Sequence, residues 1–406
     1  MRGVTHQGRI LLLEGIDPGA KTNLEAAGWR VDLYPQALGE ADLVAEIGDV
    51  VALGLRSKTH VTPRVLEAAK ELRTIGAFCI GTNQIALEAA HRHGVPVFNA
   101  PFSNTRSVAE LVMAEIVFLA RKLGDRSREM HQGIWKKTAQ GCHEVRGKTL
   151  GIIGYGHIGR QVGVLAEAFG MNVQFHDIAS QLPMGNNTPA AGGLDEVLGT
   201  SDFVTLHVPA TPQTKNMIGA AEIAKMAPGS HLLNLSRGNV VIIEALADAL
   251  RSGHLAGAAI DVYPHEPKTN DEPFESPLQN LPNVILSPHI GGSTLEAQVS
   301  IGSEVSAKLA QFLGRGTTAT SVNFPEADLP VRAGAVRIQH LHRNVPGVLG
   351  DVHRIAAAHG RNVLGQVLVT DTEVGYLLMD IGGEGGEDVV HDIAKLDTTI
   401  RARLLY

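Results

Sequence analysis

The chain has 406 residues, of which 44% are hydrophobic and 19% charged, and its formal net charge is −7. This length exceeds a single ordinary core, so we expect a globular protein of two or three domains. The acidic balance and the lack of a basic block argue against nucleic acid or a membrane surface as a partner, and no run reaches the ~20 apolar residues of a membrane span.

The first hundred residues alternate short apolar runs with helical segments, which predicts a parallel sheet with helices on its faces. We predict strands at residues 10–14, 50–55, 74–80 and 95–98, and helices at residues 24–28 and 63–72. Ligands of such sheets lie beyond the carboxyl ends of the strands. Arg56 and Ser57 follow one of these strands and could hold a phosphate or a carboxylate. An exposed arginine at a strand end is the alternative interpretation.

A long helix is predicted from Ser107 to about Lys122. Ser107 and Glu110 have the spacing of a capping box, which favours a helix start at this point. The helix is apolar on nearly all sides, so it must be covered on most of them. We expect it to link the first domain to the second.

Residues 148–177 have the order strand, glycine turn, helix, strand and acid. Gly154 permits a tight turn, Gly156 lets the backbone approach a pyrophosphate, and Gly159 lets helix and strand pack closely. Asp177 can accept a hydrogen bond from a ribose 2′-hydroxyl and would repel a 2′-phosphate, which favours NAD over NADP. A glycine pattern alone indicates only a turn, but the complete arrangement predicts dinucleotide binding.

Three polar residues follow three successive strands that are predicted in the second domain: Arg237, Glu266 and His289. Because parallel strands end at one edge of a sheet, we expect the three side chains to converge where a nicotinamide would lie. His289 is the natural base for a hydroxyl proton, Glu266 would orient and charge the imidazole, and Arg237 would hold a substrate carboxylate. Each residue alone is compatible with a structural role, but their joint placement predicts a catalytic set.

The C-terminal part forms a third predicted unit. A helix at about residues 295–313 is followed by a looser stretch that contains prolines. From Ala335 onward the predicted order is β-α-β-β-α-β, the ferredoxin-like arrangement. A unit of roughly 70 residues is small, so pairing with a second copy would help it to bury its sheet.

The cysteines and the N-terminus indicate the compartment. Cys79 and Cys142 have no partners at metal-binding spacing, so we expect thiols in a reducing compartment and no metal site. His91 and His93 are spaced i, i+2 without a third ligand, which favours a solvated helix end over a metal site. The polar stretch Met1 to Arg9 lacks a signal-peptide core. These features predict a cytoplasmic enzyme.

At these residues the chain resembles the D-isomer-specific 2-hydroxyacid dehydrogenases, in particular the members that carry a C-terminal ACT domain. The segments that carry the resemblance are residues 54–60, 78–84, 98–110, 150–159, 236–238, 259–262, 288–293 and 400–406. The resemblance implies an α/β fold with two Rossmann-like doubly wound parallel-sheet domains and a ferredoxin-like βαββαβ ACT domain. The implied domains are a substrate-binding domain at residues 10–103 completed by 292–318, an NAD-binding Rossmann domain at 104–291, a linker at 319–334 and a regulatory ACT domain at 335–406.

The resemblance also implies roles residue by residue. His289 would be the acid and base, Glu266 its partner and Arg237 the substrate anchor. The implied NAD contacts are Gly154, Gly156, His157, Ile158, Gly159, Asp177, Leu235, Ser236, Arg237, Asp261, His289, Gly291 and Gly292. The implied substrate contacts are Arg56, Ser57, Asn104 and Gln298. The implied serine contacts, between paired ACT domains, are His342, Asn344 and Asn362. The usual His-Glu-Asn pattern reads His342-Arg343-Asn344 here, which places a positive charge near that pocket.

The implied activity is NAD-dependent oxidation of 3-phospho-D-glycerate to 3-phosphohydroxypyruvate, the first step of phosphorylated serine synthesis. The implied assembly is a homotetramer joined through its ACT and NAD-binding domains and inhibited by L-serine. One alternative is a related reductase that acts on hydroxypyruvate, glyoxylate or 2-oxoglutarate. Another is a dinucleotide-sensing scaffold similar to the corepressors that share this fold.

Overall fold

The computed structural model describes residues 8–267 and 271–406. The chain forms two compact units, one of Met1–Ser103 with Gln298–Tyr406 and one of Asn104–Ala297. The sequence predicts domain boundaries after residues 103 and 291. The chain passes from the first unit to the second after residue 103 and returns to the first unit after residue 297. Residues 1–7, part of the stretch used to predict the compartment, lie outside the described residues. No helix of the described part of the chain is long and apolar enough to cross a membrane.

The first unit contains a five-stranded parallel sheet in the order β2-β1-β3-β4-β5. Its strands are β1 (Arg9–Leu12), β2 (Arg30–Leu33), β3 (Val50–Leu55), β4 (Thr74–Ala77) and β5 (Val97–Asn99). Its helices are α1 (Pro18–Ala26), α2 (Glu40–Glu46), α3 (Pro63–Ala68) and α4 (Leu87–Arg92). All six residues of the central strand β3 are buried, as its continuous apolar run predicts. Strand β2 escaped prediction because it is a sheet edge with polar Arg30 and Asp32.

The second unit contains a seven-stranded parallel sheet in the order β12-β11-β10-β9-β6-β7-β8. Its strands are β6 (Thr149–Ile153), β7 (Asn172–His176), β8 (Thr188–Pro189), β9 (Phe203–Leu206), β10 (His231–Asn234), β11 (Gly257–Ile260) and β12 (Val284–Leu286). Its helices are α5 (Thr105–Arg121), α6 (Leu123–His131), α7 (His157–Ala168), α8 (Gly193–Thr200), α9 (Ala220–Lys225) and α10 (Ile243–Arg251). The strand order reverses between β6 and β9, which is the switch point of a doubly wound sheet. The predicted parallel α/β architecture is confirmed.

The predicted capping box at the start of α5 is wrong. The helix begins at Thr105 with Asn104 as its N-cap, so Ser107 already lies in the first turn. The Ser107 hydroxyl is instead hydrogen-bonded to the Thr294 hydroxyl at 2.8 Å. Glu110 pairs with Arg106 at 2.6 Å, one helical turn away. The Ser107 hydroxyl thus bonds to Thr294, which lies 187 residues away along the chain, in place of the local capping contact.

The C-terminal part is an antiparallel four-stranded sheet in the order β14-β15-β13-β16. After α11 (Leu295–Arg315), its elements are β13 (Ala335–Arg343), α12 (Val348–Ala358), β14 (Val363–Thr370), β15 (Val374–Gly382), α13 (Glu387–Ala394) and β16 (Thr399–Leu404). This confirms the predicted ferredoxin-like order. Ile338, Leu377 and Met379 pack under the two helices. Tyr376 and Leu378 join the core of the five-stranded sheet domain, so the other sheet face is covered in part within the same unit.

Candidate active site

The glycine turn after β6 has the geometry that a pyrophosphate requires. Gly154 has a φ of +91°, and a Cβ there would lie 2.4 Å from the His207 carbonyl oxygen. A Cβ on Gly159 would lie 2.3 Å from the Gly154 carbonyl oxygen. A Cβ on Gly156 would meet nothing within 4 Å, so its backbone faces open space at the N-cap of α7. Two glycines are thus required by packing, and the third leaves room for a ligand at a helix N-terminus.

Helix α7 begins at His157, directly after Gly156 of the glycine turn. His157 and Ile158, both implied cofactor contacts, therefore lie in its first turn. The first N–H groups of a helix are unsatisfied and carry a partial positive charge. This arrangement fits the binding of a phosphate diester.

Asp177 directly follows β7 and is held by backbone N–H groups. Its Oδ2 accepts from the Tyr155 N–H at 2.8 Å and its Oδ1 accepts from the Ala179 N–H at 2.9 Å. Each carboxylate oxygen keeps a lone pair for a ribose hydroxyl. The neighbouring Ile178, which the sequence analysis did not single out, is 100% exposed and offers an apolar surface beside this acid.

His207 lies at the end of β9 beneath the glycine turn, and its side chain stays neutral. Burial lowers its pKa to about 3. One ring nitrogen is hydrogen-bonded to the Thr205 hydroxyl at 3.0 Å. The signal in the sequence was a polar residue at the end of a central buried strand, a position that sequence reasoning did not use.

Arg237, Glu266 and His289 follow β10, β11 and β12, which are neighbours in the sheet. His289 Nδ1 lies 2.9 Å from Glu266 Oε2, and Glu266 Oε1 accepts from the Tyr263 N–H at 3.1 Å. Arg237 is close enough that its charge acts to lower the pKa of both His289 and Glu266, although the net pKa of His289 is raised by Glu266. The structure therefore brings the three predicted residues to one edge of the sheet. With Nδ1 occupied, His289 Nε2 is the nitrogen available for proton exchange.

The electrostatics favour an imidazolium paired with a carboxylate. The hydrogen bond that His289 donates to Glu266 is the largest cause of the raised pKa of His289, and burial opposes it. Burial acts to raise the pKa of Glu266, but the hydrogen bond and charge of His289 outweigh it and hold that pKa below its usual value. The pair forms part of the wall of a pocket of about 610 Å³ that Tyr263 and Phe274 also line.

The backbone around His289 is fixed by Asp261, which is only 1% exposed. The Asp261 carboxylate accepts from the Ser287 hydroxyl at 2.6 Å and from the N–H groups of Ile290 and Gly291, both at 2.8 Å. His289 has a φ of 55°, a left-handed conformation that is strained for a residue with a Cβ. Asp261, implied as a cofactor contact, thus positions the base by holding the loop in this conformation.

Asn234 fixes the turn that carries Arg237, and sequence reasoning missed it. Its amide nitrogen donates to the Arg237 carbonyl at 3.0 Å, and its oxygen accepts from the Ser236 N–H and hydroxyl. Arg237 itself donates to the Ser236 carbonyl at 2.7 Å. Asn234 is completely buried at the end of β10, where a polar residue interrupts an apolar run. That interruption was the available signal.

The implied substrate residues are divided between the two units. Arg56, Ser57 and Gln298 belong to the first unit, and Asn104 belongs to the second. The Arg56 carbonyl accepts from the Gln84 amide at 2.5 Å, which fixes the loop after β3. A common site for these four residues with His289 stays a prediction.

The three implied serine contacts lie in the C-terminal sheet domain. His342 is 3% exposed, and its Nδ1 donates to the Arg343 carbonyl at 2.9 Å. Its Nε2 is buried with no hydrogen-bond partner among residues 8–267 and 271–406. Asn344 donates to the Asp371 carbonyl at 2.6 Å, and Asn362 is exposed. The Arg343 guanidinium donates to the Asp397 carbonyl at 2.7 Å.

Comparison with protein families defines the class. Residues 113–291 match the model of the NAD-binding domain of D-isomer specific 2-hydroxyacid dehydrogenases, and residues 338–401 match the model of the AHAS small subunit-like ACT domain. The open glycine turn, the oriented Asp177 and the first turn of α7 fit such a cofactor. The protein is therefore an NAD-dependent oxidoreductase with a C-terminal ACT domain.

Individual relatives narrow the family. The chain is 53% identical over 398 residues to D-3-phosphoglycerate dehydrogenase of Dictyostelium discoideum, covering 98% of this chain and 97% of the relative. It is 52% identical over 403 residues to the enzyme of the same name from Escherichia coli K12, with the same coverage. Among solved structures, D-lactate dehydrogenase from Aquifex aeolicus complexed with NAD and lactic acid matches with a TM-score of 0.67 at 25% identity, over 78% of this chain and 99% of that one. The chain belongs to the D-3-phosphoglycerate dehydrogenase branch of the D-isomer-specific 2-hydroxyacid dehydrogenase family.

Proposed function

We propose that this protein oxidises 3-phospho-D-glycerate to 3-phosphohydroxypyruvate as the first step of phosphorylated serine synthesis in the cytoplasm. The observation that carries the proposal is the His289–Glu266 pair at 2.9 Å, with the charge of Arg237 beside it. The names of relatives that are about 50% identical over nearly the whole chain support the same substrate.

His289 acts as the base in this reaction. Its Nε2 takes the proton of the C2 hydroxyl as the C–O bond gains double-bond character. When bound, NAD supplies the acceptor for the hydride that leaves C2. Glu266 stabilises the imidazolium that forms and keeps Nε2 directed toward the substrate. Arg237 holds the substrate carboxylate with its forked donors and stabilises negative charge on the reacting oxygen.

The remaining substrate contacts recognise the phosphate end. Arg56 and Ser57 bind the phosphate, and Asn104 and Gln298 hold the substrate in register with the base. A cationic fork and a hydroxyl suit the three acceptor oxygens of a phosphate. Gly156 and the first turn of α7 would hold the pyrophosphate of NAD, Asp177 would hold its adenosine ribose, and the backbone of residues 235–237 and 291–292 would line its nicotinamide end.

The test is a steady-state assay of NADH formation with the purified full-length enzyme. His289→Asn should abolish turnover by removing the base and should leave NADH binding, followed by fluorescence titration, within a few-fold of wild type. His391→Asn, which changes an exposed histidine in α13, is the matched control and should retain full activity. Normal turnover by His289→Asn would reject the assigned base.

A related reductase of unphosphorylated 2-oxoacids is the competing function. This alternative is supported by the structural match to a glyoxylate reductase from Paecilomyes thermophila, which has a TM-score of 0.68 at 26% identity. The two functions are separated by comparing kcat/KM for 3-phosphohydroxypyruvate with kcat/KM for hydroxypyruvate. If Arg56 binds the phosphate, Arg56→Ala should lower kcat/KM for 3-phosphohydroxypyruvate and leave kcat/KM for hydroxypyruvate unchanged. A ratio near one, unchanged in Arg56→Ala, would favour the reductase.

Serine acts as a feedback inhibitor at paired C-terminal domains of a homotetramer. The buried, unpartnered His342 Nε2 supports this proposal, since it can accept from an ammonium or hydroxyl group. Asn344 supplies an amide contact beside His342, and Asn362, which lies at the opposite end of the same sheet, supplies one from the paired copy. Calorimetry should detect serine binding that is lost in His342→Ala, together with slower turnover of wild type at millimolar serine. Unchanged rates and no binding heat would reject this regulation. Sedimentation of the wild-type protein tests the tetramer.

A further inference from the structure

The loop that follows β3 carries two residues of the proposed phosphate site. Arg56 is partly buried, whereas Ser57 and Lys58 are exposed, and the loop has no regular secondary structure. In the five-stranded sheet, β3 lies between β1 and β4. Because the strands are parallel, the loops that leave β1 and β4 flank the loop after β3. Two side chains from these flanking loops, Glu14 and Gln84, contact its backbone.

Glu14, which follows β1, binds two successive N–H groups of the loop after β3. Its Oε2 accepts from the Lys58 N–H at 3.0 Å, and its Oε1 accepts from the Thr59 N–H at 2.8 Å. Hydrogen bonds from backbone N–H groups to a carboxylate are roughly twice as strong as those between neutral groups. The two oxygens of one carboxylate therefore fix the two peptide groups that directly follow Ser57.

Gln84, which follows β4, holds the other side of the same loop. Its amide nitrogen donates to the Arg56 carbonyl at 2.5 Å, and its backbone carbonyl accepts from the Val61 N–H at 2.9 Å. Gln84 is 8% exposed, so neighbouring atoms restrict its side chain. The peptide group before Ser57 is thus anchored by Gln84, and the peptide group after Ser57 is anchored by Glu14.

The backbone at Glu14 is itself held in an unusual conformation. Its φ is 65°, a left-handed value that is strained for a residue with a Cβ. The Glu14 N–H donates to the Gln36 carbonyl at 3.0 Å, and the Gly15 N–H donates to the Tyr34 carbonyl at 3.1 Å. These contacts with the segment after β2 keep the strained turn in place, and from this turn the Glu14 carboxylate reaches the loop after β3.

We propose that Glu14 is a positioning residue that determines the specificity of the enzyme for a phosphorylated substrate. It holds the backbone that carries Arg56 and Ser57, so that the guanidinium and the hydroxyl meet the phosphate in a fixed arrangement. A site that is ordered before binding loses less conformational freedom when the ligand arrives, and it therefore binds the ligand more tightly. This inference rests on the proposed function, in which Arg56 and Ser57 bind the phosphate.

The sign of the effect separates positioning from a simple effect of charge. A carboxylate repels a nearby phosphate, so removal of its charge alone should improve the use of a phosphorylated substrate. Loss of the two hydrogen bonds should instead loosen the loop and impair that use. Glu14→Gln keeps the size of the side chain, removes its charge and retains only one of the two acceptor oxygens. Glu14→Asp keeps the charge but is too short to reach both N–H groups.

The test compares kcat/KM for 3-phosphohydroxypyruvate with kcat/KM for hydroxypyruvate in the full-length enzyme with NADH. Glu14→Gln should lower the first value roughly tenfold, mainly through KM, and should leave the second within about twofold. Glu14→Asp should lower the first value as well, and it decides the matter if Glu14→Gln does not fold. Partial unfolding would lower both values together, so it would not change their ratio. Glu25→Gln, which changes an exposed carboxylate in α1, is the matched control and should leave both values unchanged.

A double substitution shows whether Glu14 acts through Arg56. Arg56→Ala alone should lower the ratio of the two values, and the addition of Glu14→Gln should lower it little further, because the loop then has no guanidinium to position. An unchanged ratio in Arg56→Ala would reject the proposed phosphate role of Arg56, and this inference with it. If the ratio falls in Arg56→Ala, then an unchanged or raised ratio in the Glu14 variants, or full additivity in the double variant, would overturn this inference alone.

Discussion

Glu115 allows a prediction whose size follows from the structure. It lies in α5, is 4% exposed, and neither carboxylate oxygen has a hydrogen-bond partner in the described ranges. Burial, and secondly the charge of Asp261, raise its pKa from 4.5 to about 8. The folded protein therefore favours the protonated acid. The contribution of Glu115 to the free energy of unfolding is therefore most favourable below pH 4.5. It is lost as the pH rises toward 8, because Glu115 ionises more readily in the unfolded chain than in the folded one.

At pH 7 the burial of Glu115 lowers the free energy of unfolding by about 3 kcal/mol. This value is the difference between pH 7 and the pKa of the unfolded chain, multiplied by about 1.36 kcal/mol per pH unit. Glu115→Gln keeps the shape and removes the titration, so it should raise the free energy of unfolding by about that amount at pH 7 and by little near pH 4.5. Urea unfolding followed by circular dichroism across this range measures the difference. Glu110→Gln, an exposed site on the same helix, is the control and should show no such trend. Parallel pH curves for wild type and Glu115→Gln would refute the reasoning.

Three further predictions concern the site and the C-terminal sheet. Glu266→Gln should lower kcat roughly 10²-fold and move the acid limb of the kcat/KM profile to lower pH, since His289 loses the main cause of its raised pKa; an unmoved limb would contradict this. Gly159→Ala should lower Tm because the added Cβ would lie 2.3 Å from the Gly154 carbonyl oxygen, whereas Gly156→Ala should weaken NADH binding at unchanged Tm because its Cβ would meet nothing within 4 Å. Equal effects of the two substitutions on Tm would count against the assigned roles. Arg337→Met, measured by urea unfolding, should cost about 3–5 kcal/mol by leaving a buried carboxylate unpaired, and a loss below 1 kcal/mol would exclude that cost.

Features that depend on neighbours along the chain could be predicted from the sequence. Continuous apolar runs such as β3, the glycine turn at Gly154 and the β-α-β-β-α-β order each reflect local periodicity or backbone conformation. The placement of Glu266 and His289 after successive strands was predictable for the same reason, because parallel strands end at one sheet edge.

Features that depend on partners far along the chain could not be predicted. The start of α5 was misplaced because Ser107 finds a partner in Thr294, and strand β2 has a polar pattern that only pairing with β1 makes extended.

The sequence by itself thus determined the order of the elements and the chemical groups at the sheet edge, because both follow from short-range spacing. Only the tertiary structure decided that Asp261 holds the His289 loop and that Glu115 is buried with no hydrogen-bond partner among the described residues. Burial and hydrogen-bond satisfaction are properties of the packed chain, and no local pattern of residues encodes them.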